Sequence, residues 1–178
     1  YDLLVQAEAG FLSITGTDDK MVKSGISIAD IAAATQAHAA ILAALIQRSK
    51  TAEGSRIDIS MLEAMVEWMG FPLYYAYDGA EPPNRSGADH ASIYPYGAFN
   101  TSDDRVIMLG LQNEREWEIF CREVLAQEDL LADPRFSNNA LRSSNRELLR
   151  EIIQNLFSSL NAAQASAKLD AAKIAFAN

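Results

Sequence analysis

Ser27-Ile28-Ala29-Asp30-Ile31-Ala32-Ala33-Ala34-Thr35-Gln36-Ala37-His38-Ala39-Ala40-Ile41-Leu42-Ala43-Ala44-Leu45 is the stretch on which the reading of this chain turns. Ile28, Ile31, Thr35, His38, Leu42 and Leu45 recur along one face at helical spacing, which predicts a helix over about residues 28–48. Most remaining positions are alanine, so the helix carries little bulk and can be packed closely from several sides. It is expected in the interior of an assembly, with His38 a buried, satisfied histidine. Ser27 and Asp30 have the spacing of a capping box, in which Ser27 caps and Asp30 returns a hydrogen bond. The same placement suits a nucleophile. A carboxylate in the first turn feels the positive end of the helix and stays ionised. Held in one place, it can attack an activated acyl group. On the residues alone both readings stand.

Outward from this helix, residues 1–16 are apolar, punctuated by Gly10 and Gly16, and read as a short helix or a strand-to-helix entry. Residues 17–26 form a polar loop. Gly54 marks a turn, and Arg56-Ile57-Asp58-Ile59 alternates as a short strand. Ser60 and Glu63 are a second capping-box pair, opening a helix to about Tyr77 that Pro72 should kink. Residues 78–93 are irregular and mark a boundary, which predicts two parts, 1–85 and 86–178. Tyr96 to Phe99 and Val106 to Leu111 read as two strands around Thr101-Ser102-Asp103-Asp104. Trp117, Phe120, Cys121, Val124 and Leu125 share a helix face, and Asp133-Pro134 is a break. Helices follow over about 144–160 and 162–172. Met61, Met65 and Met69 read as core filler and Cys121 as packing.

The bulk numbers exclude several functions. The chain has 178 residues, enough for one ordinary domain or two small ones, and its 49% hydrophobic content supports a core. A net charge of -9 argues against nucleic acid as a partner. It leaves room for a small anionic ligand at a helix N-terminus. One cysteine and two histidines leave no disulfide framework and no thiolate or histidine metal cluster, and they fit a reducing, cytoplasmic setting. No apolar run reaches the length of a membrane span, so no membrane partner is expected. The start lacks a signal peptide and a Met, and opens mid-pattern as a fragment would.

Gly25-Ile26-Ser27-Ile28-Ala29-Asp30, with the helix ending Ile41-Leu42-Ala43-Ala44-Leu45, resembles the catalytic segment of class III CoA-transferases. So does the run from Arg48 through Thr51, Gly54 and Asp58 to Ser60-Met61-Leu62-Glu63-Ala64, although Ala52 and Ser55 stand where the family usually has Gly and Gln. Asp133-Pro134-Arg135-Phe136, with Asn139 and Arg146, is similar to a later family segment. The resemblance covers essentially the whole chain. It implies an α/β fold class: a helix-rich segment of the family fold, with part of the Rossmann-like large domain (1–85, carrying the catalytic segment) and the small α+β domain (86–178). It also implies that the N-terminal part of the large domain, with much of the coenzyme A nucleotide site, is missing.

What the resemblance implies for the site is specific. Asp30 is the nucleophile, forming an aspartyl-CoA thioester by way of mixed anhydrides. Tyr1, Asp2, Gly87, His90 and Asn113 are substrate-binding candidates. Racemase members carry His-Asp where this chain has Tyr1-Asp2, and a Glu where it has Asn113. Neither Tyr1 nor Asn113 is a competent base near neutral pH, which points to transfer rather than racemisation. Three of these have a structural alternative: a partly buried tyrosine for Tyr1, a helix N-cap for Asn113 and an exposed loop residue for His90. Gly87-Ala88-Asp89-His90-Ala91 aligns with a glycine-rich loop that covers the active site in some transferases. Coenzyme A is a substrate, with no metal or redox cofactor. The partners implied are an acyl-CoA, a small carboxylic acid and a second copy in a homodimer. The runs Glu67 to Tyr75, Tyr94 to Gly97 and Gln112 to Trp117 are similar to members handling mesaconate, itaconate or succinate. The rival readings are a racemase-like member and a truncated, non-catalytic fragment acting only in self-association.

Overall fold

A computed structural model describes residues 1–178. Its contacts divide the chain into two compact units, Tyr1–Gly87 and Ala88–Asn178.

The first unit begins with helices α1 (Asp2–Glu8) and α2 (Phe11–Ile14), separated by Gly10 in the left-handed region (φ 81°). Strands β1 (Gly16–Thr17) and β2 (Lys20–Met21) form a small antiparallel hairpin. Gly16 has φ +114°, and a Cβ there would lie 2.1 Å from the Lys20 carbonyl oxygen, so the turn requires glycine. The end of the unit returns to this hairpin. Arg85 donates to the carbonyls of Thr17 (2.7 Å) and Asp18 (3.0 Å), and the Gly87 N–H donates to Gly16 (2.7 Å).

Helix α3 (Ile28–Thr51) runs past its expected end to Ala52, whose left-handed backbone (φ 60°) lets its N–H reach the Arg48 carbonyl at 2.8 Å. Helix α4 (Met61–Tyr75) opens where its sequence predicts with half of the expected capping box: Ser60 Oγ accepts the Glu63 N–H at 3.2 Å, and the Glu63 side chain returns no bond to the Ser60 N–H. It kinks at Gly70 (φ 46°, ψ -122°), two residues before Pro72. Proline offers no N–H and crowds the preceding turn, and Gly70 in that turn absorbs the break. A 3₁₀ turn, Tyr77–Gly79, closes the segment.

α3 packs on α1 and α4. Of its residues only Ala29 and Ala32 are buried, both with no exposed surface. His38 is exposed, contrary to expectation, as are Ile31, Ile41, Leu42, Leu45 and Ile46. Two neighbouring helices cover only one side of a 24-residue helix. α3 is also long and apolar enough to cross a membrane by length and composition, which corrects the expectation that no run approaches that length. Arg56-Ile57-Asp58-Ile59 is not a strand. Neither sheet includes it, and without a ladder partner an alternating segment gains no backbone pairing. Arg56 instead pairs with Asp58 at 2.8 Å.

The second unit is an antiparallel three-stranded sheet, order β3 (Tyr96–Asn100), β4 (Val106–Gly110), β5 (Ala175–Ala177), with helices packed on one face. Helix α5 (Glu114–Ile119) continues into a π-helical turn, Phe120–Leu125. Then come α6 (Asp129–Ala132), a 3₁₀ turn at Pro134–Phe136, α7 (Asn139–Ser144), α8 (Arg146–Phe157) and α9 (Ala162–Ala171). Alternation along the strands sends Phe99, Ile107 and Leu109 inward against Phe120, Leu149, Ile153 and Phe157. The helix expected over about 144–160 is α8, whereas α7 before it and β5 are not foreseen in the sequence.

Polar ties lock this core. Arg142, only 3% exposed, donates from its side chain to the carbonyls of Tyr94 and Phe136 (both 3.1 Å) and doubly to Glu114 (2.7 and 2.9 Å), and lies 5.0 Å from the Trp117 ring centroid. Both carboxylate oxygens of Asp89 accept from one Arg150 nitrogen, Nη2 (2.7 and 2.6 Å). Gly97 is required beside it, because a Cβ there would sit 1.9 Å from Asp89 Oδ1. Burial pushes the Cys121 thiol up to about 12, so it is an inert packing group. The Tyr94 hydroxyl is buried with no hydrogen-bond partner, and burial also raises its pKa. A buried orphan hydroxyl costs roughly 1–3 kcal/mol. Tyr94→Phe is therefore expected to leave the denaturant midpoint unchanged or raise stability by up to about 1 kcal/mol. A clear drop would mean that the hydroxyl has a partner.

Candidate active site

The candidate residues fall into two groups, one in each unit. Tyr1, Asp2, Asp30 and Gly87 belong to the first, and His90 and Asn113 to the second.

In the first unit the start of α3 is capped from a distance. Ser27 stands at the N-cap position, yet its side chain makes no capping hydrogen bond. Asp2, in the first turn of α1, takes that role. Its Oδ1 accepts the N–H of Ala29 at 2.8 Å and of Asp30 at 3.2 Å. These are two of the donors that a helix start leaves unpaired. Gln6, one turn along α1 and 1% exposed, donates from Nε2 to Asp2 Oδ2 at 2.5 Å and accepts the Ser24 N–H on Oε1 at 3.0 Å. The capping box read from Ser27 and Asp30 is thus corrected, because a carboxylate is a stronger acceptor for helix N–H groups than a serine hydroxyl. Asp30 is exposed, and no hydrogen bond or ion pair ties its carboxylate to the rest of the chain.

Tyr1 precedes α1 and is 95% exposed, so the partly buried alternative does not hold. Gly87 (φ +62°) is fixed to the β1–β2 hairpin through Gly16. The structure thus brings Asp2 directly onto the backbone of Asp30, while Tyr1 and Gly87 make no hydrogen bond to it. Gln6 was missed by sequence reasoning. The available signal was its position four residues after Asp2 on one helix face.

In the second unit His90 is half-buried rather than a freely exposed loop residue. Its Nδ1 accepts the N–H groups of Ser92 (3.2 Å) and Ile93 (3.1 Å), its own N–H donates to the Tyr96 carbonyl (2.8 Å), and its ring stacks on Tyr96 at 5.2 Å. In this arrangement Nε2 is the ring nitrogen that carries the proton. Asn113 caps α5, accepting the Glu116 N–H on Oδ1 at 3.0 Å. An apolar groove of about 300 Å³ runs along β4 and β5, lined by Tyr96, Met108, Gly110, Gln112, Ala175 and Phe176 among others. No cluster of three or more His, Cys, Asp or Glu side chains has metal-holding geometry.

Desolvation works to raise the Asp2 carboxyl. The Gln6 amide, the N–H groups of Asp30 and Ala29, and Lys23 outweigh it and hold the group below its ordinary value. A carboxyl lowered in the folded state stabilises above its unfolded value and loses that contribution as pH falls through the lowered one. The Ala29 and Asp30 amide resonances should therefore shift with a midpoint below the ordinary aspartate value of about 3.9. Asp2→Asn should remove that low-pH component. An Ala29 midpoint at or above the ordinary value would count against the cap.

Comparison with known proteins agrees with this architecture. The model of the family described as CoA-transferase family III matches residues 1–178. An acyl-CoA transferase of Fusarium pseudograminearum is 37% identical over 161 residues, covering 89% of this chain and 35% of that protein. A succinyl-CoA:mesaconate CoA-transferase of Haloarcula hispanica is 35% identical over 155 residues, covering 86% of this chain and 38% of that protein. Among solved structures, a CAIB/BAIF family protein from Brucella suis superposes with a TM-score of 0.81 at 26% identity, over 100% of this chain and 47% of that one. The chain thus spans little more than a third of the length of these curated relatives. With the family model matched from end to end and the fold shared throughout, this chain belongs to CoA-transferase family III.

Proposed function

We propose that the protein moves coenzyme A between an acyl-CoA and a small dicarboxylate, with Asp30 as the nucleophile. The observation that carries this reading is the state of Asp30. It sits in the first turn of α3, exposed, while the neighbouring N–H groups are occupied by Asp2. Its own carboxylate is therefore not consumed in capping. Family membership supports CoA transfer, and the similarity to the succinyl-CoA:mesaconate CoA-transferase of Haloarcula supports a dicarboxylate such as mesaconate or succinate.

The chemistry runs in two halves. The Asp30 carboxylate attacks the thioester carbonyl of the donor, the C–S bond breaks, and a mixed anhydride and the coenzyme A thiolate result. The thiolate attacks the aspartyl carbonyl, expels the donor as a free carboxylate and leaves an aspartyl-CoA thioester. The acceptor carboxylate then attacks that thioester and releases the thiolate. The thiolate attacks the acceptor's acyl carbon, giving the new acyl-CoA and restoring Asp30. Each displacement meets an activated carbonyl, which is what covalent catalysis contributes. The working unit is a homodimer in this proposal. The exposed apolar flank of α3 is surface that a lone unit leaves uncovered.

Asp30→Asn in the full-length protein should keep the fold and reduce transfer from succinyl-CoA to a panel of dicarboxylates to background. Near-normal turnover would overturn the assignment. Incubation with succinyl-CoA without acceptor, followed by hydroxylamine, should leave a hydroxamate on the peptide carrying Asp30. A label on Asp2, Asp89 or Cys121 instead would replace the nucleophile and leave the family standing.

A further inference from the structure

We propose that Asp2 and Gln6 are a positioning pair for Asp30, and that the fixed direction of the Gln6 amide makes the pair work. The proposal rests on the reading of Asp30 as nucleophile. Gln6 is 1% exposed and both ends of its amide are used. The Ser24 N–H can only donate, so Oε1 must face it. Turning the amide over would set a donor against a donor in a buried place, which is costly. Nε2 is thereby forced toward Asp2, and the group it meets must be an acceptor. Asp2 supplies one oxygen to Gln6 and the other to the N–H groups of Ala29 and Asp30. A chain of hydrogen bonds thus runs from the loop at Ser24 through Gln6 to the Asp2 carboxylate, which accepts on its other side from the backbone of the reacting residue.

The chain of bonds fixes where the first turn of α3 sits relative to α1. It also holds the Asp30 backbone through that residue's own N–H. The Asp30 side chain is left to the substrate. A displacement of about 1 Å in a reacting group is enough to cost on the order of 100-fold in rate. Asp2 and Gln6 touch no reacting atom in this scheme and act only through Asp30.

Exchanging the two functional groups tests this. In the full-length protein, Asp2→Asn sets a new amide against the Gln6 amide, donor facing donor. Gln6→Glu sets a carboxylate against the Asp2 carboxylate. The double variant, Asp2→Asn with Gln6→Glu, restores every hydrogen bond. The carboxylate at position 6 accepts from Ser24 and from the amide at position 2, whose oxygen accepts from α3. The negative charge only moves one residue along the chain of bonds. Each single variant should lower kcat about 10- to 100-fold with KM nearly unchanged, the pattern of a misplaced reacting group. The double variant should return to within about threefold of the parent, a non-additivity expected only of coupled partners.

Wild-type kcat in Asp2→Asn would overturn the proposal. So would a double variant that melts like the parent yet turns over as slowly as the singles. If a single variant fails to fold, the double variant decides alone by the same criterion. Full turnover in Asp30→Asn defeats the reading of Asp30 itself, whereas loss there with no effect at Asp2 or Gln6 defeats only the positioning pair.

Discussion

The carboxylate of Asp2 rests on the first free N–H groups of α3, and the geometry of the first unit follows from that contact. It joins two helices whose contact points are 27 and 28 residues apart in sequence. It answers a need that every helix start has, using a side chain from outside the helix. α1 could pack on α3 at many rotations by apolar contact alone, because alanine faces are smooth. A charge-assisted hydrogen bond is directional, and it selects one of those rotations. Gln6 adds a third anchor in the loop before α3. The position of Asp30 is thus defined by polar bonds, while hydrophobic contact supplies the bulk of the cohesion.

The second unit solves a similar problem with cations. Arg142 is buried against Glu114 and two carbonyls, and it ties α5, the 3₁₀ turn and the chain before β3 to one point. Arg150 does the same for Asp89 and the neighbouring strand β3. Arginine suits this use because its planar fork serves several acceptors at once and stays charged when buried. The apolar core around Phe99, Phe120 and Phe157 fills space between these fixed points.

Much of this was visible in the sequence, and what was hidden has a common cause. The helices α3 and α4, the β3–β4 hairpin and the Asn113 cap all depend on residues close together in the chain. Periodicity, turn chemistry and the Ser60 cap report them directly. Arg56-Ile57-Asp58-Ile59 alternates like a strand, yet strand formation depends on a partner edge, which alternation does not encode. His38 lies on the periodic face but is exposed, since the number of helices packed on α3 is a tertiary fact. The Asp2 cap was misread as a Ser27 box because the local pair had the right spacing and the distant competitor had a stronger acceptor. For the candidate site, composition and spacing reached only as far as an acidic side chain in a first turn. The family resemblance, not the periodicity, singled out Asp30 among the carboxylates. Gln6 is a buried polar residue in a helix, and its importance becomes visible only when the partners of both amide ends are known.

Ala29 and Ala32 have no exposed surface, and α3 packs on α1 and α4. They act as spacers whose thickness sets the separation of the two helices. Ala29 is also one of the residues whose N–H reaches Asp2. A bulkier side chain at Ala29, whose N–H bonds to α1, would act as a shim, prying α1 away and lengthening the reach from the Asp2 carboxylate to its donors. Hydrogen bonds weaken steeply with such lengthening, so the tolerance is a fraction of an ångström. Side-chain size at these positions is therefore constrained by the alignment of the Asp30 carboxylate in the same turn as well as by packing. The methyl group is then the largest side chain that keeps the two helices in gear.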